Sequence, residues 1–97
     1  MSMTLVITNN VEDRFRGFIL SCMPEVSSGL YISTNLNNTI RMRMWETLSD
    51  WHHSYQSGSI ILIYEDKKSL GGIAIKSLGR TTKKLFDIDG FYVSLKR

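Results

Sequence analysis

Hydrophobic positions along this chain recur with two different periods, and each change of period marks an element. Leu5 to Ile7 is an apolar run that ends at Thr8, which predicts a short strand. Beyond Asn9-Asn10, the apolar residues Val11, Phe15, Phe18, Ile19 and Cys22 fall at i, i+4, i+7, i+8 and i+11, the stripe of an amphipathic helix. Glu12 and Asp13 stand in its first turn, where carboxylates complement the helix dipole, and Pro24 stops it. Gly17 sits inside this pattern, where glycine costs about 1 kcal/mol relative to alanine. The expectation is that close packing or an exposed backbone requires it.

Val26 to Ser33 carries extended-type residues around a Ser27-Ser28-Gly29 turn signal, so it is one bent strand or two very short ones. Asn37 and Asn38 are placed to cap the next helix. Ile40, Met44, Leu48, Trp51 and Tyr55 then form the longest helical periodicity in the chain, closed by Ser57-Gly58. Ser59 to Tyr64 (SIILIY) is a continuous apolar run between Gly58 and Glu65-Asp66, as expected of a central strand buried on both faces. After a polar turn, Gly72 to Leu78 alternates Ile73 and Ile75 with Ala74 and Lys76, a hairpin partner for that strand. Asp87 to Gly90 makes a turn, and Phe91, Val93 and Leu95 alternate with Tyr92 and Ser94 in a last strand.

These elements define a single α+β domain over residues 1–97: a two-layer sandwich with two helices on one face of a mainly antiparallel sheet. The order is compatible with a ferredoxin-like fold if Val26 to Ser33 supplies two strands. The strand over 91–95 is then surplus, and an apolar edge strand must pair with its own sheet, a second copy or another protein.

Composition narrows the class without naming a function. The chain has 97 residues, 42% hydrophobic and 22% charged, ordinary values for one globular domain small enough that dimerisation is plausible. It has no apolar run of the roughly 18 residues that span a membrane, and no secretory pattern at its N-terminus, so a cytoplasmic location is expected. The lone Cys22 fits a reducing compartment and, on the apolar stripe, reads as a core residue. The net charge is only +3, but Lys67, Lys68, Lys76, Arg80, Lys83 and Lys84 follow one another between residues 67 and 86 with no acidic residue among them. Such a surface favours phosphate-bearing partners, although a solvated face also explains it.

A phosphodiesterase needs carboxylates converging on Mg²⁺. The natural place is the end of the first strand, yet the residues there are the neutral Asn9 and Asn10. Asp87 and Asp89 are explained by a turn, and Glu12 and Asp13 by the helix dipole. Adjacent His52-His53 lack the i, i+4 spacing that puts two imidazoles on one metal. Trp45 and Trp51, with Met42 and Met44, read as core or interface before they read as a stacking platform. No Gly-rich phosphate loop, Ser/His/Asp set or zinc spacing occurs. Arg14 and Arg16 lie in the first turns of a helix, where a phosphate meets charged side chains and free backbone N–H groups together; surface solubility is the plainer reading. The Arg80, Lys83, Lys84 loop has the composition of a backbone clamp on duplex DNA, without the interleaved aromatics that favour single strands.

Three blocks, LVITNNVEDRFRG at the start, GLYIS followed by IRMRMWE, and FDIDGFYVSL in the tail, resemble the type I-E branch of the CRISPR-associated Cas2 family, the small partner of the spacer integrase. The resemblance implies a ferredoxin-like homodimer that bridges two integrase dimers on double-stranded prespacer DNA. It places Arg14, Arg16, Arg41, Lys83 and Lys84 against DNA, although Thr82 replaces one member of the family's basic pair. It also makes Asp89 and the strand carrying Phe91, Val93 and Leu95 the tail that docks on the integrase. The chain departs from the family at Asn9, where many members have an acidic metal ligand. The leading expectation is therefore a DNA-binding scaffold with no catalytic residue and no required cofactor. The alternative is a dimeric Mg²⁺-dependent endonuclease acting on RNA or DNA.

Overall fold

The computed structural model describes residues 3–55 and 58–79. The chain runs β1 (Thr4–Asn9), α1 (Asp13–Cys22), β2 (Glu25–Ser27), β3 (Leu30–Ser33), α2 (Asn38–Tyr55), β4 (Ser59–Glu65), a short 3₁₀ turn (Leu70–Gly72) and β5 (Ile73–Leu78). The five strands form one sheet in the order β2-β3-β1-β4-β5, every ladder antiparallel. The first four strands and two helices make the ferredoxin-like α+β sandwich, and β5 extends its sheet beyond β4. The segment Val26 to Ser33 supplies two strands, as that fold requires. The strand expected over 91–95, with Asp89, Phe91, Val93, Leu95 and the basic pair Lys83-Lys84, lies outside the described residues.

The helices cover one face of the sheet only. Val6, Tyr31, Ile60 and Leu62 point into that layer and pack with Phe15, Ile19, Met23, Leu36, Met44 and Leu48 as the buried core. Trp51 meets the Phe15 ring edge-on at 5.7 Å and the Phe18 ring at 5.3 Å, so this tryptophan is core and not a stacking platform. The ends of the long helical stripe emerge from the core, with Ile40 and Tyr55 both exposed. Asn37 caps α2, its Oδ1 accepting the Ile40 N–H at 2.8 Å. This satisfies one of the orphan donors of the first turn.

On the opposite face, the period of two brings together Leu5 and Ile7 of β1, Leu30 and Ile32 of β3, Ile61 and Ile63 of β4, and Ile73 and Ile75 of β5. Their register is direct: Leu5 stands opposite both Ile32 and Ile63, Ile7 opposite Leu30 and Ile61, and Ile63 opposite Ile75. Among the described residues nothing covers them, and Ile7 and Ile73 are 36% and 37% exposed. The SIILIY strand meets half of its expectation. β4 is an inner strand, paired with β1 and β5 on its two sides, but of its aliphatic residues only the helix-facing Ile60 and Leu62 are buried, while Ile61 and Ile63 remain half-buried.

For Gly17, the close-packing half of the expectation is not met. A side chain there would meet nothing within 4 Å, so packing among the described residues does not demand a glycine.

Candidate nucleic-acid interface

The end of the sheet where β1 stops gathers most of the polar residues of interest. Thr8 and Asn9 finish β1, Asn10 turns the chain with a φ of 63°, and Glu12 in extended conformation opens α1. Asparagine is one of the few residues that tolerates this left-handed geometry. The Thr8 N–H donates to the Gly29 carbonyl at 2.7 Å, and the Thr8 hydroxyl donates to the same oxygen at 3.2 Å. These bonds join β1 to the β2–β3 turn. A cleft of about 330 Å³ opens there between Thr8, Asn9, Asn10, Ser28 and Gly29, with Arg16 on its wall. A larger recess of about 620 Å³ lies on the other side of Asn9-Asn10, lined by Ser49, His52, His53, Ser59 and Gly79. The His52 ring nitrogen Nε2 stands 3.2 Å from the Gly58 carbonyl.

Arg14 and Arg16 both lie at this end, in different settings. The Arg14 guanidinium rests over the Tyr55 ring at 4.4 Å, donates to the Tyr55 hydroxyl at 2.9 Å, and lies 5.8 Å from the Trp51 ring centre. It therefore ties the start of α1 to the end of α2. Its 3.8 Å approach to Glu12 is an exposed pair of little energetic weight. A cation–π contact at an exposed site and one hydrogen bond are each worth roughly 1 kcal/mol. Arg14→Ala is accordingly expected to lower folding stability by about 1–2 kcal/mol, and Arg14→Lys by less, in chemical denaturation followed by tryptophan fluorescence. An unchanged midpoint for Arg14→Ala would show that the tie carries no stability.

Arg16 instead faces the β2–β3 hairpin. Its Nη2 donates to Glu25 Oε2 at 3.3 Å, and its charge is held above the ordinary guanidinium range first by the Tyr31 side chain and then by Glu25. The Glu25 carboxyl is held below its ordinary range chiefly by the Gly29 N–H, which donates to Oε2 at 2.8 Å, with Arg16 as the smaller cause. Sequence reading passed over Glu25. A glutamate opening a strand next to a turn carries no local signal that it will meet an arginine of the preceding helix.

Arg41 is at the far end of the layer. It stacks over the Tyr64 ring of β4 at 3.8 Å and donates to the Asn38 side chain. Fourteen residues of helix separate Arg41 from Tyr55, so about 21 Å of α2 lies between the Arg41 and Arg14 positions. That length corresponds to roughly six base pairs of duplex. The turn nearby is held by Asp66, whose carboxylate accepts the Lys68 N–H at 3.0 Å and the Ser69 hydroxyl at 2.9 Å. These bonds keep its carboxyl below the usual range, the Lys68 N–H first.

The residues at the end of β1 do not fit Mg²⁺. That cation takes hard, preferably anionic oxygen ligands, whereas Thr8, Asn9, Asn10 and Ser28 offer neutral donors. Among the described residues no three His, Cys, Asp or Glu side chains converge as a ligand set. No described helix is long and apolar enough to cross a membrane.

A ferredoxin-like sandwich with an aliphatic sheet face that nothing covers among the described residues, and arginines at both ends of its helical layer, defines a small α+β domain suited to association and to phosphate contact. Comparison with known families gives the more particular assignment. The model of a CRISPR-associated protein family, Cas_Cas2CT1978, matches residues 3–93, and the chain belongs to that family. Its role is therefore CRISPR-related.

Proposed function

We propose that the protein is a homodimeric scaffold of the spacer-acquisition integrase complex, binding double-stranded prespacer DNA without reading its sequence and bridging two integrase dimers. The observation that carries this reading is the division of the domain into two unlike faces. One face of the sheet is aliphatic from β3 through β1 and β4 to β5, and a second copy is its natural cover, because identical patches meet across a two-fold axis. The helical layer carries Arg14, Arg16 and Arg41, spaced along about 21 Å, where charged side chains meet phosphates and fix position without carrying sequence information. Lys83 and Lys84 extend the proposed contact, and Asp89, Phe91, Val93 and Leu95 form the proposed docking segment for the integrase.

The dimeric endonuclease reading has the family resemblance behind it and the side chains against it. A neutral amide at Asn9 gives neither the charge nor the basicity that metal activation of water requires. The test is incubation of the purified protein with labelled RNA and DNA, with and without Mg²⁺, beside binding to two unrelated duplexes. The expected result is equal affinity for both duplexes, little Mg²⁺-dependent cleavage, and spacer acquisition nearly intact in Asn9→Ala. Robust cleavage abolished by one acidic-residue substitution would establish the nuclease instead.

A further inference from the structure

Arg16 reaches the cleft beside β1 in the company of a carboxylate that does not depend on it. Glu25 Oε2 accepts the Gly29 N–H at 2.8 Å and the Arg16 Nη2 at the longer distance of 3.3 Å. The shorter bond goes to the backbone of the β2–β3 turn, so the turn fixes the carboxylate whether or not the arginine stays. The Glu25 side chain is only a quarter exposed, whereas that of Arg16 is 43% exposed. Arg16 Nε is enclosed and finds no hydrogen-bond partner among the described residues. The ion pair is thus long and partly solvated, of the kind that contributes little to stability. Its weight falls elsewhere. A phosphate that meets Arg16 at the cleft lined by Thr8, Asn9, Ser28 and Gly29 finds a guanidinium already shared with a fixed carboxylate.

We propose that Glu25 is a counter-charge that attenuates the grip of Arg16 on the phosphodiester backbone, and so sets how tightly this end of the domain holds a duplex. The proposal rests on the DNA-scaffold reading and adds to it a residue that opposes binding. A carboxylate 3.3 Å from the guanidinium cancels part of its charge and competes with phosphate for its N–H donors, which near a protein surface is worth about 3- to 10-fold in affinity and less as salt rises.

Glu25→Gln removes the charge and keeps an oxygen for the Gly29 N–H. The protein, with Glu25→Gln, Arg16→Ala and the double variant, is titrated against a fluorescent duplex of mixed sequence at about 50 mM and about 200 mM salt. Thermal melting confirms that each variant folds, and Glu25→Ala serves as a second neutral variant. The expected result is a gain of about 3- to 10-fold for Glu25→Gln at the lower salt, smaller at the higher salt and lost in the Arg16→Ala background. Unchanged or weaker binding by folded Glu25→Gln, while Arg16→Ala weakens binding, would overturn the proposal and leave the scaffold reading standing. An equal gain in the Arg16→Ala background would also overturn it, because Glu25 would then act on DNA directly. Arg16→Ala binding as tightly as the unaltered protein would remove both the proposal and the role of Arg16 in the scaffold.

Discussion

Ile63→Asp is expected to turn the proposed symmetric dimer into a folded monomer of 11.1 kDa. Ile63 stands opposite Leu5 on one side and Ile75 on the other, near the middle of the aliphatic face. A carboxylate placed there meets water in the single chain and an apolar surface in the dimer. Burying an unpaired charge costs several kcal/mol even after relaxation, enough to move association out of the micromolar range. The fold itself should persist, because the core lies on the other side of the sheet among Val6, Tyr31, Ile60 and Leu62. Sedimentation equilibrium reads the result directly. Either an unaltered protein that sediments as one chain at micromolar concentration, or an Ile63→Asp variant that stays dimeric, would remove the sheet face as the site of pairing.

Gly58→Ala is expected to be strongly destabilising. Gly58 has a φ of 75°, a conformation that costs a residue with a Cβ about 1–2 kcal/mol. The added methyl would also fall 2.5 Å from the Asn9 carbonyl oxygen and closer still to that of Asn10. Both partners are backbone, so relief requires moving β1 or β4, and overpacking of this kind typically adds about 1–3 kcal/mol. The combined loss, about 2–5 kcal/mol, is a large share of the stability of a domain this size. Chemical denaturation would register it as a lower midpoint with an unchanged slope. A loss below about 1 kcal/mol would mean that the Asn9-Asn10 turn yields readily. Gly17→Ala is the control, since a side chain there meets nothing within 4 Å and alanine is the better helix former.

Much of this fold is written in local pattern. The stripe from Val11 to Cys22, the Asn37 cap, the Ser27-Ser28-Gly29 turn and the SIILIY strand all appear where period and turn chemistry place them, because each depends on residues a few positions apart. The relations that define the candidate interface are not local. Arg14 reaches Tyr55, 41 residues away, and no feature of the first helix announces that partner. Glu25 pairs with Arg16 because the hairpin folds back beside α1. The sheet face that nothing covers among the described residues was hidden for a related reason: a continuous apolar run has the same appearance whether its second face is covered by its own chain or by another. The resemblance in the three sequence blocks supplied the family, which residues 3–93 bear out, while periodicity alone reached only the fold.

The most direct measurement of the scaffold account is the salt dependence of duplex binding by the complex assembled with the integrase, comparing the unaltered protein with Arg16→Ala, Arg41→Ala. Arg14 is left in place because its loss would disturb the tie between the helices. Each phosphate contact removed should shallow the plot of log affinity against log salt by roughly 0.9, so the double variant should flatten it by about 2 per subunit. Neither arginine belongs to the buried core, and the variant should fold and join the complex. A folded, complex-forming double variant with an unchanged salt slope would contradict the account, because these arginines would then be surface charge with no hold on DNA.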